Sequence, residues 1–412
     1  MFAFSYPDAL DTITSYWRAA ILTKRTRACM PRTSLKCLAT LLLLSACVTR
    51  QSAGAIDPLA TERSVLTSGN QDSLWTALGL RHQRVNAIAY TPWGIYAGAD
   101  HQGVFRSDSR DSRWTRTGLQ DPTVSALLFV VGNRPRLLAG VRGRAHAPGT
   151  EPGVFASLDS GRTWAPSDAS LMTAHVLGMA CDPTHPNRVY LRSSRGVLRS
   201  EDEGRTWRYA PVGGARAVSA LLVSPWGDGR VWYAAANSLE GSRVGRSEDH
   251  GATWHRFPAP FLSVLVADPA QPERLWAGSG NRLIYSDDGG RTWTTGASCV
   301  GAGRTIDSLL FVGQTVYVTT RGTALGPGGE EVYAIYQSHD LGKTWGTIPL
   351  PPGVREVRTV VTDPDRKLVI GTDIGVWRLN PSGIRSMPEA IQCGRSVAAI
   401  YPSGTPVLRA TA

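Results

Sequence analysis

Residues 157–164 read Ser157-Leu-Asp159-Ser-Gly161-Arg-Thr163-Trp164, and the same phrase returns at 200–207 (SEDEGRTW), 247–254 (SEDHGATW), 286–293 (SDDGGRTW) and 338–345 (SHDLGKTW). Each copy has the chemistry of a tight turn. A short Asp accepts backbone N–H groups across the turn, a Gly supplies a left-handed residue, and a Trp provides a large apolar surface beside it. The residues concerned are Asp159, Gly161 and Trp164, then Asp202, Gly204 and Trp207, Asp249, Gly251 and Trp254, Asp288, Gly290 and Trp293, and Asp340, Gly342 and Trp345. A sixth copy, Ser107 to Trp114, keeps only its ends.

Successive copies start 50, 43, 47, 39 and 52 residues apart, the spacing of a repeated four-stranded β unit. The flanks agree. Short strands precede each box (Gly103-Val-Phe-Arg, Gly153-Val-Phe-Ala, Gly196-Val-Leu-Arg), and apolar runs such as 124–131 and 218–223 lie upstream as buried inner strands. A seventh strand, Gly375-Val-Trp-Arg, has no box after it, and Asp72-Ser-Leu-Trp75 resembles an outer strand with no inner strands before it. Pairing these two ends would close a ring and leave no sheet edge exposed. The expectation is an all-β fold, a single β-propeller of seven four-stranded blades. Residues 397–409 leave an eight-bladed alternative or an added strand.

The boxes resemble the Asp-box, or BNR, repeat family, which includes sialidases, sortilin ectodomains, xyloglucanase-type glucanases and photosystem II assembly propellers. The resemblance covers about residues 72–380. It implies that each box closes the hairpin between the third and fourth strands of a blade, and that ligands bind on the opposite face. The box aspartates are therefore read as structural. The acidic run Ser200-Glu-Asp-Glu is read as part of a turn and not as a metal loop.

Residues 30–47, MPRTSLKCLATLLLLSAC, form an export signal, because the apolar run is too short to span a bilayer. Its end, Leu44-Ser-Ala-Cys47, resembles the lipobox of bacterial lipoproteins, in which the Cys carries the lipid. The expected organisation is a dispensable extension at 1–29, a signal at 30–46, a lipidated Cys47 with a flexible tether at 47–70, and the propeller at 71–412. The expected location is the exported cell envelope, held to a membrane by lipid. Cys181, Cys299 and Cys393 follow, an odd set that allows one disulfide at most.

Lys plus Arg outnumber Asp plus Glu by 44 to 33, which favours anionic partners. On the face implied for ligands, the loops carry Arg142, Arg144, Arg192, Arg195 and Arg321, whose forked guanidinium groups suit carboxylates or phosphates. This set points to a non-catalytic module binding a protein, an anion or a carbohydrate, and weighs against an enzyme. The alternative is a glycoside hydrolase. Glycosidases usually need two carboxyl groups, and Asp100 and Asp373, in corresponding loops across the closure, are the candidates outside the boxes. A sialidase is disfavoured, since the F/Y-R-I-P segment of that family is missing. No P-loop, HExxH, GxSxG or clustered Cys/His motif occurs, so neither cofactor nor metal is expected, and the absence of aromatic-basic alternation argues against nucleic acid.

Overall fold

The computed structural model describes residues 74–392 apart from 109–112, 144–151, 172–173, 213–216, 238–240, 299–303, 324–330, 343 and 381–390. These residues fall within one unit of the chain, Asn70–Ala412. The extension, the signal, Cys47, the tether and the segment 397–409 lie outside the described residues.

Seven antiparallel sheets follow one another along the chain. In blade one the strands run Val85–Thr91, Gly94–Ala99, Gly103–Ser107 and Trp114–Arg116 from the axis outward, and blades two to six repeat that order. Blade seven takes its first three strands from Val357–Thr362, Leu368–Thr372 and Gly375–Leu379, and its outer strand from Trp75–Gly79 at the other end of the chain. Trp75 pairs with Leu379 and Ala77 with Trp377, so the ring is closed as expected from the orphan strands. Seven blades complete the circle, and the eight-bladed alternative is excluded. Beyond it, Ile391–Gln392 adds a short strand to the outer edge of blade six.

Strand sequence follows position in the blade. The innermost strand Thr123–Val130 alternates strictly between half-buried and buried residues. The second strand of the same blade, Arg136–Arg142, is buried along all but its last residue, because it is covered by neighbouring blades on both faces. The core therefore lies in the seams. One cluster joins Tyr96 and Val104 of blade one to Leu137 and Val141 of blade two. Another joins Val85 and Ala97 of blade one to Val369 and Val376 of blade seven.

The boxes lie between third and fourth strands, with almost identical geometry. In blade five, the Ser286 hydroxyl donates to Asp288 Oδ1 (2.8 Å) and accepts from Gly290 N (2.8 Å), while Thr292 donates its amide to Oδ1 (2.9 Å) and its hydroxyl to Oδ2 (2.6 Å). Gly290 has φ +93°, and a side chain there would meet Val244 and Trp232 across the seam and Leu275 of its own blade. The residue before each box glycine also has positive φ. In three boxes its carbonyl is bound by an aromatic donor of the preceding blade: Tyr96 Oη to Ser160 O (2.8 Å), Tyr190 Oη to His250 O (2.9 Å) and Trp232 Nε1 to Gly289 O (2.9 Å). A box thus closes its own hairpin and fastens two blades together.

Candidate functional site

The acidic run in the third blade is spent on structure. Asp202 accepts from the Thr206 amide and hydroxyl, and buried Glu203 pairs with buried Arg136 of blade two at 2.7 Å. Among the described residues no group of His, Cys, Asp or Glu is placed to hold a metal ion. Cys181 is a free thiol, and burial pushes it up to about 11.

The opposite face carries the turns between second and third strands and the loops leading from one blade to the next. Near the start of most innermost strands the pairing slips by one residue, for example between Val124 and Ala126 and between Val218 and Ala220. The bulged side chain is used to stitch blades. Ser125 Oγ donates to Val176 O (2.6 Å) and Ser219 Oγ to Leu262 O (2.5 Å), each acceptor belonging to the next blade. Ser263 does the same with Ile306 O (2.6 Å). Blade three has Leu177 at that position and no hydroxyl to offer. Arg192 takes over, donating to Leu177 O (3.0 Å), Val218 O (3.3 Å) and Ser219 O (2.6 Å).

This corrects the expectation of five loop arginines sharing one surface. Arg192 sits on the strand Val189–Ser193 and binds main-chain carbonyls. Arg321 is also on a strand and pairs with Asp307 at 3.4 Å. Arg142 and Arg195 are exposed. Arg144 lies outside the described residues. The signal for Arg192 was present in the sequence as a leucine where blades two and four place serine.

At the ring closure the two candidate carboxylates occupy equivalent turns. Asp373 follows the second strand of blade seven, and its Oδ1 accepts from the amides of Arg355 (3.1 Å) and Glu356 (3.2 Å). Asp100 follows the second strand of blade one. Its Oδ1 accepts from the Thr123 hydroxyl (3.0 Å), and His101 Nε2 stands 3.6 Å away. Arg84 bridges the closure between blades one and seven: its carbonyl accepts from Asp100 N (2.8 Å), and its guanidinium reaches Glu356 Oε1 (3.2 Å). Glu356 also pairs with Arg358, whose Nε donates to Asn86 Oδ1 (2.6 Å), and Asn86 Nδ2 donates on to Val124 O (3.2 Å). Glu356, Arg84 and Arg358 went unnoticed in the sequence, because the partners lie 272 residues apart and no local motif marks them. Asp100 and Asp373 thus stand in equivalent turns on either side of the closure, with Arg84 and Glu356 between them, and each offers a carboxylate for acid–base work.

The profile of the BNR/Asp-box repeat matches residues 284–295. By structure, the fold is shared with the GH74 xyloglucanase from Xanthomonas campestris (TM-score 0.57, 16% identity, 74% of this chain and 53% of that one). The chain is a seven-bladed β-propeller that carries BNR/Asp-box repeats. The propeller also resembles YCF48 bound to a D1 peptide (TM-score 0.54, 16% identity, 74% of this chain and 95% of that one), a likeness of fold alone. By sequence, a xyloglucanase from Paenibacillus sp. is 32% identical over 237 residues, covering 50% of this chain. The propeller chain spans only 20% of that relative's length. The expectation of a non-catalytic module is overturned by these xyloglucanase relatives, which point to a glycoside hydrolase. Export is in keeping with such relatives.

Proposed function

We propose that this propeller is an exported glycoside hydrolase acting on a xyloglucan-type polysaccharide, held to a membrane by lipid on Cys47. The observation that carries the reading is the 32% identity to the Paenibacillus xyloglucanase. Hydrolysis of a glycosidic bond needs one carboxyl group to protonate the leaving oxygen and a second to activate water or attack the sugar directly. Asp100 and Asp373 are the proposed pair. Their turns are equivalent, and each carboxylate is oriented by donors from its own surroundings. Glu356, its charge committed to Arg84 and Arg358, is assigned to positioning the rim.

The test is release of reducing sugar from xyloglucan by the purified full-length protein. Asp100→Asn and Asp373→Asn should each lower turnover by about 10²–10⁴-fold while leaving the melting temperature within a few degrees. Absence of turnover by the wild type, or turnover that survives both substitutions, would refute the assignment. For the anchor, intact-mass measurement should find acyl chains on the wild type and none on Cys47→Ser.

A further inference from the structure

Blade one turns between its second and third strands with three residues, Asp100, His101 and Gln102, because Ala99 pairs with Gly103. The corresponding turns of blades three, five and seven have two, Ser194-Arg195, Gly280-Asn281 and Asp373-Ile374. The added residue is taken up at His101, whose φ of +55° lies in the left-handed region that a side chain enters at a cost. The imidazole is thereby set beside the start of blade two's inner strand. His101 Nδ1 lies 2.7 Å from Thr123 Oγ1, and the His101 amide donates to the same oxygen (3.2 Å). Its Nε2 stands 3.6 Å from Asp100 Oδ1, the oxygen to which Thr123 donates its hydroxyl at 3.0 Å.

Thr123 has one hydroxyl hydrogen and two acceptors within reach of it. While Nδ1 is bare, the hydrogen is shared between the imidazole and Asp100. Once Nδ1 carries a proton, that proton is donated to Oγ1 and the hydroxyl hydrogen is committed to Asp100. A fully protonated ring goes further, because Nε2–H also faces Oδ1 and brings a positive charge to it. The ring is 44% exposed, so solvent protons reach it. Other charged or titratable groups on the surrounding elements are Arg81, His82 and Arg84 on the loop before blade one, Asp121 on the loop before blade two, Arg142 across from Thr123, and Arg116, which donates to Gln102. Among the described residues Asp100 is the carboxylate that the ring meets.

We propose that His101 and Thr123 are positioning residues for Asp100: the protonated imidazole, acting through the Thr123 hydroxyl, holds Asp100 as an oriented carboxylate, the one that activates water or attacks the sugar. The inference rests on the hydrolase reading above and deepens it by giving Asp100 its role and making that role responsive to pH. Preorganisation is the gain, since the hydroxyl is aimed at Asp100 before the substrate arrives.

Two readouts on the full-length protein test it. In NMR spectra at about pH 5.5, where an ordinary imidazole is mostly protonated, the Nδ1–H of His101 should be protected from solvent exchange; Thr123→Val should remove the protection and Thr123→Ser should keep it. In kinetics on xyloglucan, His101→Ala and Thr123→Val should each lower kcat by about tenfold with little change in KM, and together should lower it no further than either alone. His101→Asn suits the left-handed backbone and puts an amide donor near the place of Nδ1, but it does not titrate. It should recover most of the kcat lost in His101→Ala, and the ratio of wild-type kcat to that of His101→Asn should fall at least about threefold between about pH 5 and 8. The ratio cancels titrations common to both proteins, that of His82 included. A ratio that is flat with pH, additive losses in the double variant, or a ring proton that Thr123→Val leaves protected would overturn the proposal. If turnover is present and the ratio is flat, the relay alone fails; if the ring proton behaves as expected and the wild type does not cleave xyloglucan, the hydrolase reading falls and the role of Asp100 with it.

Discussion

Asp288→Ala removes the acceptor at the centre of one box. Four donors lose their partner at once: the Ser286 hydroxyl, the amides of Arg291 and Thr292, and the Thr292 hydroxyl. Burial pushes the Asp288 carboxyl up, but these hydrogen bonds outweigh it, and the group settles at about 2 against an ordinary 3.8. That gap converts to about 2.4 kcal/mol, and partial exposure of the turn reduces it to about 1–2 kcal/mol. The folded value is depressed, so the stabilisation is complete above pH 4 and is lost as pH falls from about 4 toward 2. Chemical denaturation at pH 7 should therefore show the variant destabilised by about 1–2 kcal/mol. At pH 2.5 the gap between variant and wild type should be clearly smaller, since the wild-type carboxyl is then partly protonated. A difference that is the same at both pH values, or no difference at pH 7, would refute the view that an ionised carboxylate holds the turn.

Two further outcomes follow from the seams. Trp75→Ala should cost about 3–5 kcal/mol, because Trp75 packs with Leu310, Ile348 and Val360 and donates to Pro349 O (2.7 Å); an unchanged melting temperature would remove blade seven's outer strand from the account of stability. Arg136→Met should destabilise by about 2–4 kcal/mol, because buried Glu203 is left with only half-exposed Arg205 (3.1 Å) and the Asn133 amide (2.8 Å) for its charge, whereas Arg136→Met with Glu203→Met should recover part of it; additive losses in a double-mutant cycle would mean that the pair is not coupled.

The blades were legible because a box repeats its chemistry locally. Ser, Asp, Gly and Thr meet within eight residues, and the period between boxes fixes the strand count. The closure was legible for a related reason: a strand without a blade at one end and a blade without an outer strand at the other. What escaped was every contact made between distant positions. Arg192 reads as one more loop arginine until Leu177 and Ser219 are seen on either side of it. Glu203 reads as an acidic run until Arg136 of the preceding blade appears against it. At the rim, Asp100 and Asp373 could be paired from their matching turns, but Glu356 and Arg84 depend on a contact across the whole ring.

The strand that completes blade seven has a consequence in time. Trp75–Gly79 is made before every other described strand, and its partner Gly375–Leu379 is made after all seven inner strands are in place in the chain. The hydrogen bond from Thr76 to Asn380 spans 304 residues. Through synthesis and passage across a membrane, the leading strand must wait unpaired while blades one to six form behind it. Closing so long a loop costs only logarithmically more entropy than closing a short one, but the search for so distant a partner is slow. The ring is therefore committed last at its seventh blade, and until then an apolar strand with free backbone groups is open to pairing with another copy of the chain.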